Sequence, residues 1–430
     1  MAVPARSIAL QALGNVARGR GTLADALAAP EAEALDPRDR ALLHELVLGT
    51  LRRRGLLDHA LARAASRPLD RIAPGVLDAL RLAAYQLLFT RVAPHAALSE
   101  AVDLARAAEP RAAGFANAVL RRLQREGLPP EPDPAGDTLA WLVSFGSLPR
   151  WLAQRWLARL GPGRAVARAR AFAEPPATHF RLNPRVADAE RRAAEAGIVS
   201  AATSVPGVLE LVEGRLAPLL LEGVAYAQDE GSQLVARLAA TDGRVLDACA
   251  APGGKSLLLA DLGEGRTRVV AAEVSRRRLR TLVQLRDRWH ARDAIAVVLA
   301  DARRPPFRGG FDAVLLDAPC SGLGTLARHP DIRWRLAPED VSRHAERQRA
   351  LVEALAPLVR PGGRLVYATC SVEPEENEGV VAPFLAAHRE FAPEPLPGWA
   401  EPHRDGQFVR IEPATRRGDA FFAARLRRGE

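Results

Sequence analysis

The chain is expected to be an α/β protein, in which a doubly wound, Rossmann-like domain follows an all-helical domain and a small α/β module. Three observations carry this expectation. From about Ala225 onward, short and nearly continuous apolar runs alternate with helical patterns, as parallel strands buried on both faces require. Before residue 127, apolar residues recur at spacings of three and four, the period of helices that share a core. At 430 residues the chain is also long for a single core.

In order, helices are expected at Ala5–Val16, Arg40–Leu51, Val76–Phe89, Ala97–Ala107 and Ala116–Leu123. Asp36-Pro-Arg-Asp39 and Ser99 stand where helices start, and Gly55 and Gly127 where they stop. Residues 1–127 therefore read as the helical domain. Leu128-Pro-Pro-Glu-Pro-Asp-Pro-Ala-Gly136 cannot continue a helix, so 128–140 reads as an extended linker. Residues 141–221 read as the small α/β module, with helices at Arg150–Leu160, Arg164–Phe172 and Asp188–Ala196 and strands at Thr178–Pro184 and Val208–Val212. Residues 222–430 read as the doubly wound domain. Its strands are expected at Arg244–Ala250, Arg268–Val274, Ala294–Ala300, Phe311–Leu316 and Gly363–Thr369, and its helices at Lys255–Leu262, Ser275–Arg288, Pro338–Leu358 and Glu375–Ala387. Two tail strands, Gln407–Ile411 and Ala420–Leu426, joined by Pro413–Gly418, suggest an antiparallel pair at one edge.

The net charge of +9 favours a polyanionic partner, nucleic acid first and an anionic membrane second. Of the 60 basic residues all but Lys255 are arginine, a pattern that compositional drift explains better than selection for phosphate contacts. The lysine that resisted the drift lies in the most motif-like segment. Three cysteines, Cys249, Cys320 and Cys370, are too few and too widely spaced for a disulfide framework or a zinc site, and no metal is expected. They read as thiols of a reducing cytosol. The first residues lack the apolar core of a signal peptide, and no run of ~18 apolar residues exists to span a membrane. A cytoplasmic protein is the expectation.

Val245-Leu-Asp-Ala-Cys-Ala-Ala-Pro-Gly-Gly-Lys-Ser256 reads as a strand, a glycine-rich turn and a helix start, where a ligand can approach the backbone. A phosphate-binding P-loop competes for this segment, but it needs glycine where Cys249 stands. Glu273 ends the second strand 19 residues beyond Gly254, a position suited to the ribose hydroxyls of an adenosine cofactor. Asp301 ends the third strand and is placed for the adenine, although a helix cap or loop acid explains it equally well. The fourth strand runs into Asp317-Ala-Pro-Cys-Ser-Gly322 and the fifth into Thr369-Cys-Ser371. In an open α/β sheet those strand ends border the ligand crevice, so Cys320 and Cys370 should face the cofactor. A lone cysteine is usually a small buried hydrophobe, but two at adjacent strand ends suggest chemistry.

Four segments together carry a resemblance: Asp247-Ala-Cys-Ala-Ala-Pro-Gly-Gly-Lys255, Leu316-Asp-Ala-Pro-Cys-Ser-Gly-Leu-Gly324, Arg328-His-Pro-Asp-Ile-Arg-Trp334 and Tyr367-Ala-Thr-Cys-Ser-Val-Glu-Pro-Glu-Glu-Asn377. The chain resembles the bacterial 16S rRNA cytosine-C5 methyltransferases of the RsmB (Sun, Fmu) type over nearly its whole length. The resemblance implies S-adenosylmethionine as cofactor. Cys249, Ala250, Ala251, Pro252, Gly253, Gly254 and Lys255 would line its methionine part, Glu273 would bind the ribose, Asp301 the adenine edge, and Asp317 would lie near cofactor and base. It further implies that Cys370 is the nucleophile and that Cys320 assists product release. The chemistry is coherent. Carbon 5 of cytosine is a poor nucleophile until a thiolate adds to carbon 6, and an acid on ring nitrogen 3, a role suited to Asp317, eases that addition. The family usually has Asp at the ribose position, so Glu273 reaches one methylene further.

DNA cytosine methyltransferases attack with the Pro-Cys thiol, so the second cysteine in Thr-Cys points to RNA rather than DNA. Ala93-Pro-His-Ala-Ala-Leu-Ser-Glu-Ala-Val102 and Gly114-Phe-Ala-Asn-Ala-Val-Leu-Arg-Arg122 resemble an RNA-binding NusB-like domain. Free or early-assembly 16S rRNA is the expected partner, with no membrane and with the chain acting as a monomer. Arg52, Arg53, Arg54, Arg121 and Arg122 are phosphate-contact candidates, although a solvated charged face explains them almost as well. Phe180-Arg-Leu-Asn-Pro-Arg185 is a further candidate RNA contact, and His329 and Trp334 read as structural or RNA-facing. Two other readings stay open: the same chemistry on tRNA, and a non-catalytic RNA-binding assembly factor.

Overall fold

Eight α-helices lie between Ala5 and Glu126 in the computed structural model, which describes residues 5–413 and 418–430. They are Ala5–Ala17, Leu23–Leu27, Pro30–Glu33, Pro37–Arg52, Arg54–Ala64, Pro74–Phe89, Pro94–Ala108 and Ala113–Glu126. The periodic apolar positions converge on one core that includes Ile8, Leu43, Leu46, Leu57, Leu80 and Leu120. Asp36 caps its helix by accepting from the amides of Arg38 and Asp39 at 2.8 and 2.9 Å, and Gly127 ends the last helix with φ of 67°.

Two expected boundary signals have other roles. Ser99 lies inside Pro94–Ala108. Gly55 is not a stop but opens Arg54–Ala64, where a Cβ would lie 2.2 Å from the Val143 carbonyl. The glycine is there because another segment passes close, not because the helix ends.

The chain divides into two compact units, the first comprising residues up to Pro175 with Leu326–Pro338 and the second Pro176–Thr325 with Glu339–Glu430. The helical unit thus extends well beyond residue 127. Helices Thr138–Ser144 and Arg150–Ala173 belong to it, the latter broken at Gly161 (φ 73°) before Pro162. Trp141, Trp156 and Phe172 bury their rings here, and Glu131 of the proline-rich segment accepts from Trp141 Nε1 at 3.1 Å and from Arg170 at 2.6 Å. The expected linker is therefore pinned within the unit, and the α/β module is shorter than 141–221.

Leu326–Pro338 joins the helical unit through its side chains. Arg333 is fully buried and donates to the carbonyls of Ser147, Phe172 and Leu326 at 3.1, 3.3 and 3.2 Å. Burial lowers its pKa to about 9. Trp334 Nε1 donates to the Leu51 carbonyl at 2.8 Å, Arg52 donates to Ala327 O at 2.7 Å, and the Arg54 guanidinium lies 4.7 Å from the Trp334 ring. Trp334 is thus structural, and Arg52 and Arg54 are engaged internally rather than offered to phosphate. Arg53 sits 4.4 Å over Phe89. Arg121 and Arg122 stay exposed, held by Asn117 and Glu126 one turn away.

The second unit begins with a small antiparallel sheet of β1 (His179–Leu182), β2 (Val199–Ala202), β3 (Leu209–Glu213) and β4 (Ala225–Ala227), ordered β2-β3-β1-β4. Helix Ala189–Glu195 connects β1 to β2. The main sheet contains β5 (Gly243–Asp247), β6 (Thr267–Glu273), β7 (Ile295–Leu299), β8 (Phe311–Asp317), β9 (Val359–Thr369), β10 (Phe391–Pro393), β11 (Arg404–Asp405), β12 (Phe408–Ile411) and β13 (Phe421–Arg428). Its order is β11-β12-β13-β9-β8-β5-β6-β7, with β10 also paired to β13. Strands β5 to β9 are mutually parallel, whereas β13 runs antiparallel to β9, β10 and β12. Most of the joining segment Pro413–Gly418 lies outside the described residues.

The apolar runs are continuous because both faces are covered. On β8, Ala313 and Leu315 enter one core while Val314 and Leu316 enter the other. The order reverses at β5, which has β6 on one side and β8 on the other, and this leaves a crevice at the carboxyl ends of the parallel strands.

Replacing Arg333 by methionine is expected to destabilise the protein by about 3 kcal/mol, because three buried carbonyls lose their donor while the apolar volume is kept. Urea denaturation of the full chain measures this. An unchanged midpoint would contradict it.

Candidate active site

The turn after β5 carries the first group of candidate residues. Gly253 adopts φ of 116°, a left-handed backbone that glycine takes without strain, and caps helix Gly254–Leu262. A Cβ on Gly254 would lie 2.5 Å from the Tyr226 ring, so the turn is close-packed from behind. Asp247, at the end of β5, is 1% exposed; its Oδ2 accepts from Ser256 at 2.6 Å, while its Oδ1 has no hydrogen-bond partner among the described residues. Burial pushes Asp247 up to about 6, against the opposing effects of Ser256 and Lys255. Cys249 is half-buried, and burial followed by the charges of Asp247, Asp317 and Glu273 pushes its thiol up to about 12. That thiol stays protonated at neutral pH. The lone lysine proves central: Lys255 Nζ donates to Asp317 Oδ2 at 2.8 Å. Burial works against its charge, but Asp317 first, then Asp247 and Cys370, raise its pKa above the ordinary lysine value.

The second group sits at the ends of β8 and β9. Asp317 pairs in register with Ala368, and the Ala318 amide donates to the Ala368 carbonyl at 2.8 Å. That register carries the two turns past each other, and Gly324 N donates to Cys370 O at 2.9 Å. Cys320 Sγ and Cys370 Sγ end up 3.3 Å apart, although 50 residues separate them. Both are free thiols on a partly exposed surface. The hydrogen bond to Cys370, then burial, then the charges of Cys370 and Glu376 hold the Cys320 thiol well above its ordinary pKa. A sulfhydryl pair in contact cannot readily ionise twice, so loss of one proton leaves the other shared between the sulfurs.

The remaining candidates line the β6 and β7 side. Glu273 is 2% exposed; Oε1 accepts from Ser275 N at 2.9 Å and Oε2 lies 3.6 Å from Arg278. Arg278 also donates to the Ala251 carbonyl at 2.6 Å, which ties the ribose candidate to the turn after β5. Asp301 is gripped by Arg303, whose side chain and then backbone amide lower its pKa to about 2. The orphaned Asp247 Oδ1 and the carboxylate of Glu273 match the ammonium and the ribose diol of S-adenosylmethionine. The residues present fit the cofactor.

Arg181 and Asn183 do not face RNA as the sequence suggests. Arg181 is 4% exposed, donates to Gln228 and to Gly254 O at 3.0 Å, and lies 5.0 and 5.2 Å from the Tyr226 and Trp289 ring centroids. Asn183 donates to Gly223 O at 2.8 Å, and Arg185 to Asp261 at 3.1 Å. This segment supports the cofactor turn from behind. Asp247, Arg278 and Glu376 also escaped the sequence reading as site residues, although two of them lie inside quoted motif segments. The signal of Asp247 and Glu376 was an acid in an otherwise apolar or turn context, and that of Arg278 a cation at a helix start; only packing distinguishes either from a surface charge.

Asp247 allows a test of the site's electrostatics. Between about pH 4 and 6 the folded chain holds a proton there that the unfolded chain has released. The stability this group contributes is therefore full below the ordinary carboxylate range and lost as pH rises through 6. Asp247→Asn removes that loss, so its stability relative to the parent should rise by on the order of 3 kcal/mol between pH 4 and pH 7. Denaturant midpoints across that range measure it. Parallel profiles would contradict it.

Residues 236–427 match the 16S rRNA methyltransferase RsmB/F family, and residues 3–125 match the NusB family. A Pseudomonas putida protein named ribosomal RNA small subunit methyltransferase B is 37% identical, covering 89% of this chain and 88% of its own. A Xylella fastidiosa protein of the same name is 36% identical over 98% and 97%. A Mycobacterium tuberculosis protein named only as a methyltransferase is 41% identical over 91% and 89%. Among solved structures, that of PH0851 is similar with a TM-score of 0.78 at 26% identity, covering 99% of both chains. Cofactor turn, paired thiols and full-length likeness lead to one conclusion: the chain belongs to the RsmB/F family of S-adenosylmethionine-dependent rRNA cytosine methyltransferases.

Proposed function

We propose that this protein methylates carbon 5 of a specific cytosine in 16S rRNA, with Cys370 forming a transient bond to carbon 6 of the base. The observation that carries the reading is the 3.3 Å contact between Cys370 and Cys320 beside the Lys255–Asp317 pair. Lys255 is a positive charge within electrostatic reach of the Cys370 sulfur. Cys370 adds to carbon 6, and a proton taken up from solvent with the base and shared between Asp317 and ring nitrogen 3 eases the charge shift into the ring. The bound cofactor supplies a methyl group on a sulfonium, which the activated carbon 5 can accept. Cys320, which gives its own proton to solvent once the Cys370 charge is spent in the bond to carbon 6, then takes the proton from carbon 5, and the electrons of that C–H bond restore the ring as the Cys370 sulfur leaves. Asp247 and the Cys249–Lys255 turn bind the methionine part, Glu273 the ribose and Asp301 the adenine edge.

The target base must leave its stack to meet the thiol, so a loop in free or early-assembly 16S rRNA suits the enzyme better than a paired stem. The helical unit, matched to the NusB family, would hold the RNA, with Arg121 and Arg122 left as exposed candidates for phosphate. The chain acts in the cytoplasm as a monomer.

Cys370→Ala is expected to abolish methyl transfer and leave no covalent adduct. Cys320→Ala is expected to trap a long-lived protein–RNA adduct on a denaturing gel. The adduct appearing with the first variant and not the second would reverse the assignment. Labelled methyl transfer to small-subunit rRNA is expected, and transfer to tRNA alone would overturn the substrate reading.

A further inference from the structure

The turns that carry the two thiols are tied together from behind by one side chain. Glu376 lies in a short turn after β9 and is fully buried. Its Oε1 accepts from the Ser321 amide at 2.7 Å and from Gln348 Nε2 at 3.1 Å. Its Oε2 accepts from the hydroxyls of both Ser321 and Ser371, which are 3.3 Å apart. Ser321 follows Cys320, and Ser371 follows Cys370. Gln348 also donates to the carbonyl of Pro319, the residue before Cys320, at 3.0 Å. The neighbouring Asn377 accepts from Thr369 Oγ1 and donates to Ser371 O at 3.0 Å, so the residues on both sides of Cys370 are held as well.

From this geometry we propose that Glu376 is a positioning residue for the thiol pair, its buried carboxylate fixing the two strand-end turns so that the sulfurs stay in contact. The inference rests on the roles given above to Cys370 and Cys320. A carboxylate with four donors has a reason to be buried. An alternative, that it merely stabilises the fold, would be served as well by apolar packing. The charge has a directional effect on the pair. Cys320 is faced by Cys370, Glu376 and the Tyr367 hydroxyl, whereas Cys370 is faced by Cys320 and Lys255. Negative charge at Glu376, beside the contact with Cys370, holds the proton of Cys320 in place. Once Cys370 is bonded to the base its charge is gone, so Cys320 can release its proton to solvent, and the held turns leave its sulfur placed to take the proton on carbon 5.

The test uses the full chain without RNA. Iodoacetamide labelling of Cys320 and Cys370, resolved by peptide mass spectrometry across pH, should show Cys370 reacting faster in the parent. Glu376→Gln keeps size but replaces one accepting oxygen with a donor and removes the charge. The ratio of Cys370 to Cys320 labelling at pH 7 is then expected to fall by about tenfold, with the Cys320 profile moving to lower pH. Methyl transfer should lose about 100-fold in kcat, with KM for S-adenosylmethionine unchanged. If Glu376→Gln does not fold, the Ser321→Ala/Ser371→Ala variant, which keeps the charge but loosens the two turns, should lose kcat in the same direction and bring the two labelling rates closer together, with the Cys320 profile not moving to lower pH. A labelling ratio and kcat within about twofold of the parent in whichever variant folds would overturn the proposal. Failure of the Cys370 assignment shows separately, as reversal of the adduct between cysteine variants, and leaves the labelling result standing.

Discussion

Two sulfurs in contact at the ends of adjacent parallel strands set the terms for everything else in the catalytic unit. The contact requires β8 and β9 to lie side by side in a register that pairs Asp317 with Ala368. A slip of one residue would turn every side chain of the strand to the opposite face and separate the thiols. Apolar residues on both faces of β8 and β9 make such a slip costly, because it would exchange the members of two cores at once. The packing of Val314, Leu315, Leu316, Leu365 and Val366 is thus part of the catalytic geometry even though none of them touches a substrate.

Lys255 stands among several acids around that contact. Asp247, Glu273, Asp317 and Glu376 all lie at or behind the carboxyl ends of the strands, and Lys255 is bonded to Asp317 among them. Burial pushes Asp247 up to about 6, so that it holds a proton in mildly acidic conditions. The lysine has a double connection, to the acid proposed for the base and to the thiol proposed to attack it. Arginine, planar and longer, would not replace its compact charge at this position without moving the turn.

Much of this was legible along the chain because the strands are continuous apolar runs and the chemical residues stand where those runs end. The five parallel strands fell within a few residues of their expected positions for that reason, and so did Cys320, Cys370, Asp317 and the turn at Cys249–Lys255. Residues whose role depends on a neighbour distant in sequence were not legible. Arg181 looks like a surface cation in a short strand, and only the rings of Tyr226 and Trp289 and the carbonyl of Gly254 make it an internal strut. Glu376 sits in a stretch that reads as the polar start of a helix, and Ser321 and Ser371 become its partners only when two strand ends meet. The helical unit was cut short at residue 127 because prolines after it look like a linker, whereas Glu131 is bonded to Trp141 and Arg170 within the unit.

The central claim is that Cys370, not Cys320, forms the bond to the base. An RNA carrying 5-fluorocytosine at the target removes the proton whose loss would release the enzyme, so the covalent complex should persist after methyl transfer. Digesting that complex and sequencing the nucleotide-bearing peptide by mass spectrometry identifies the attached sulfur directly. The account predicts the peptide containing Thr369-Cys370-Ser371. Recovery of the nucleotide on the peptide containing Pro319-Cys320-Ser321 would contradict it.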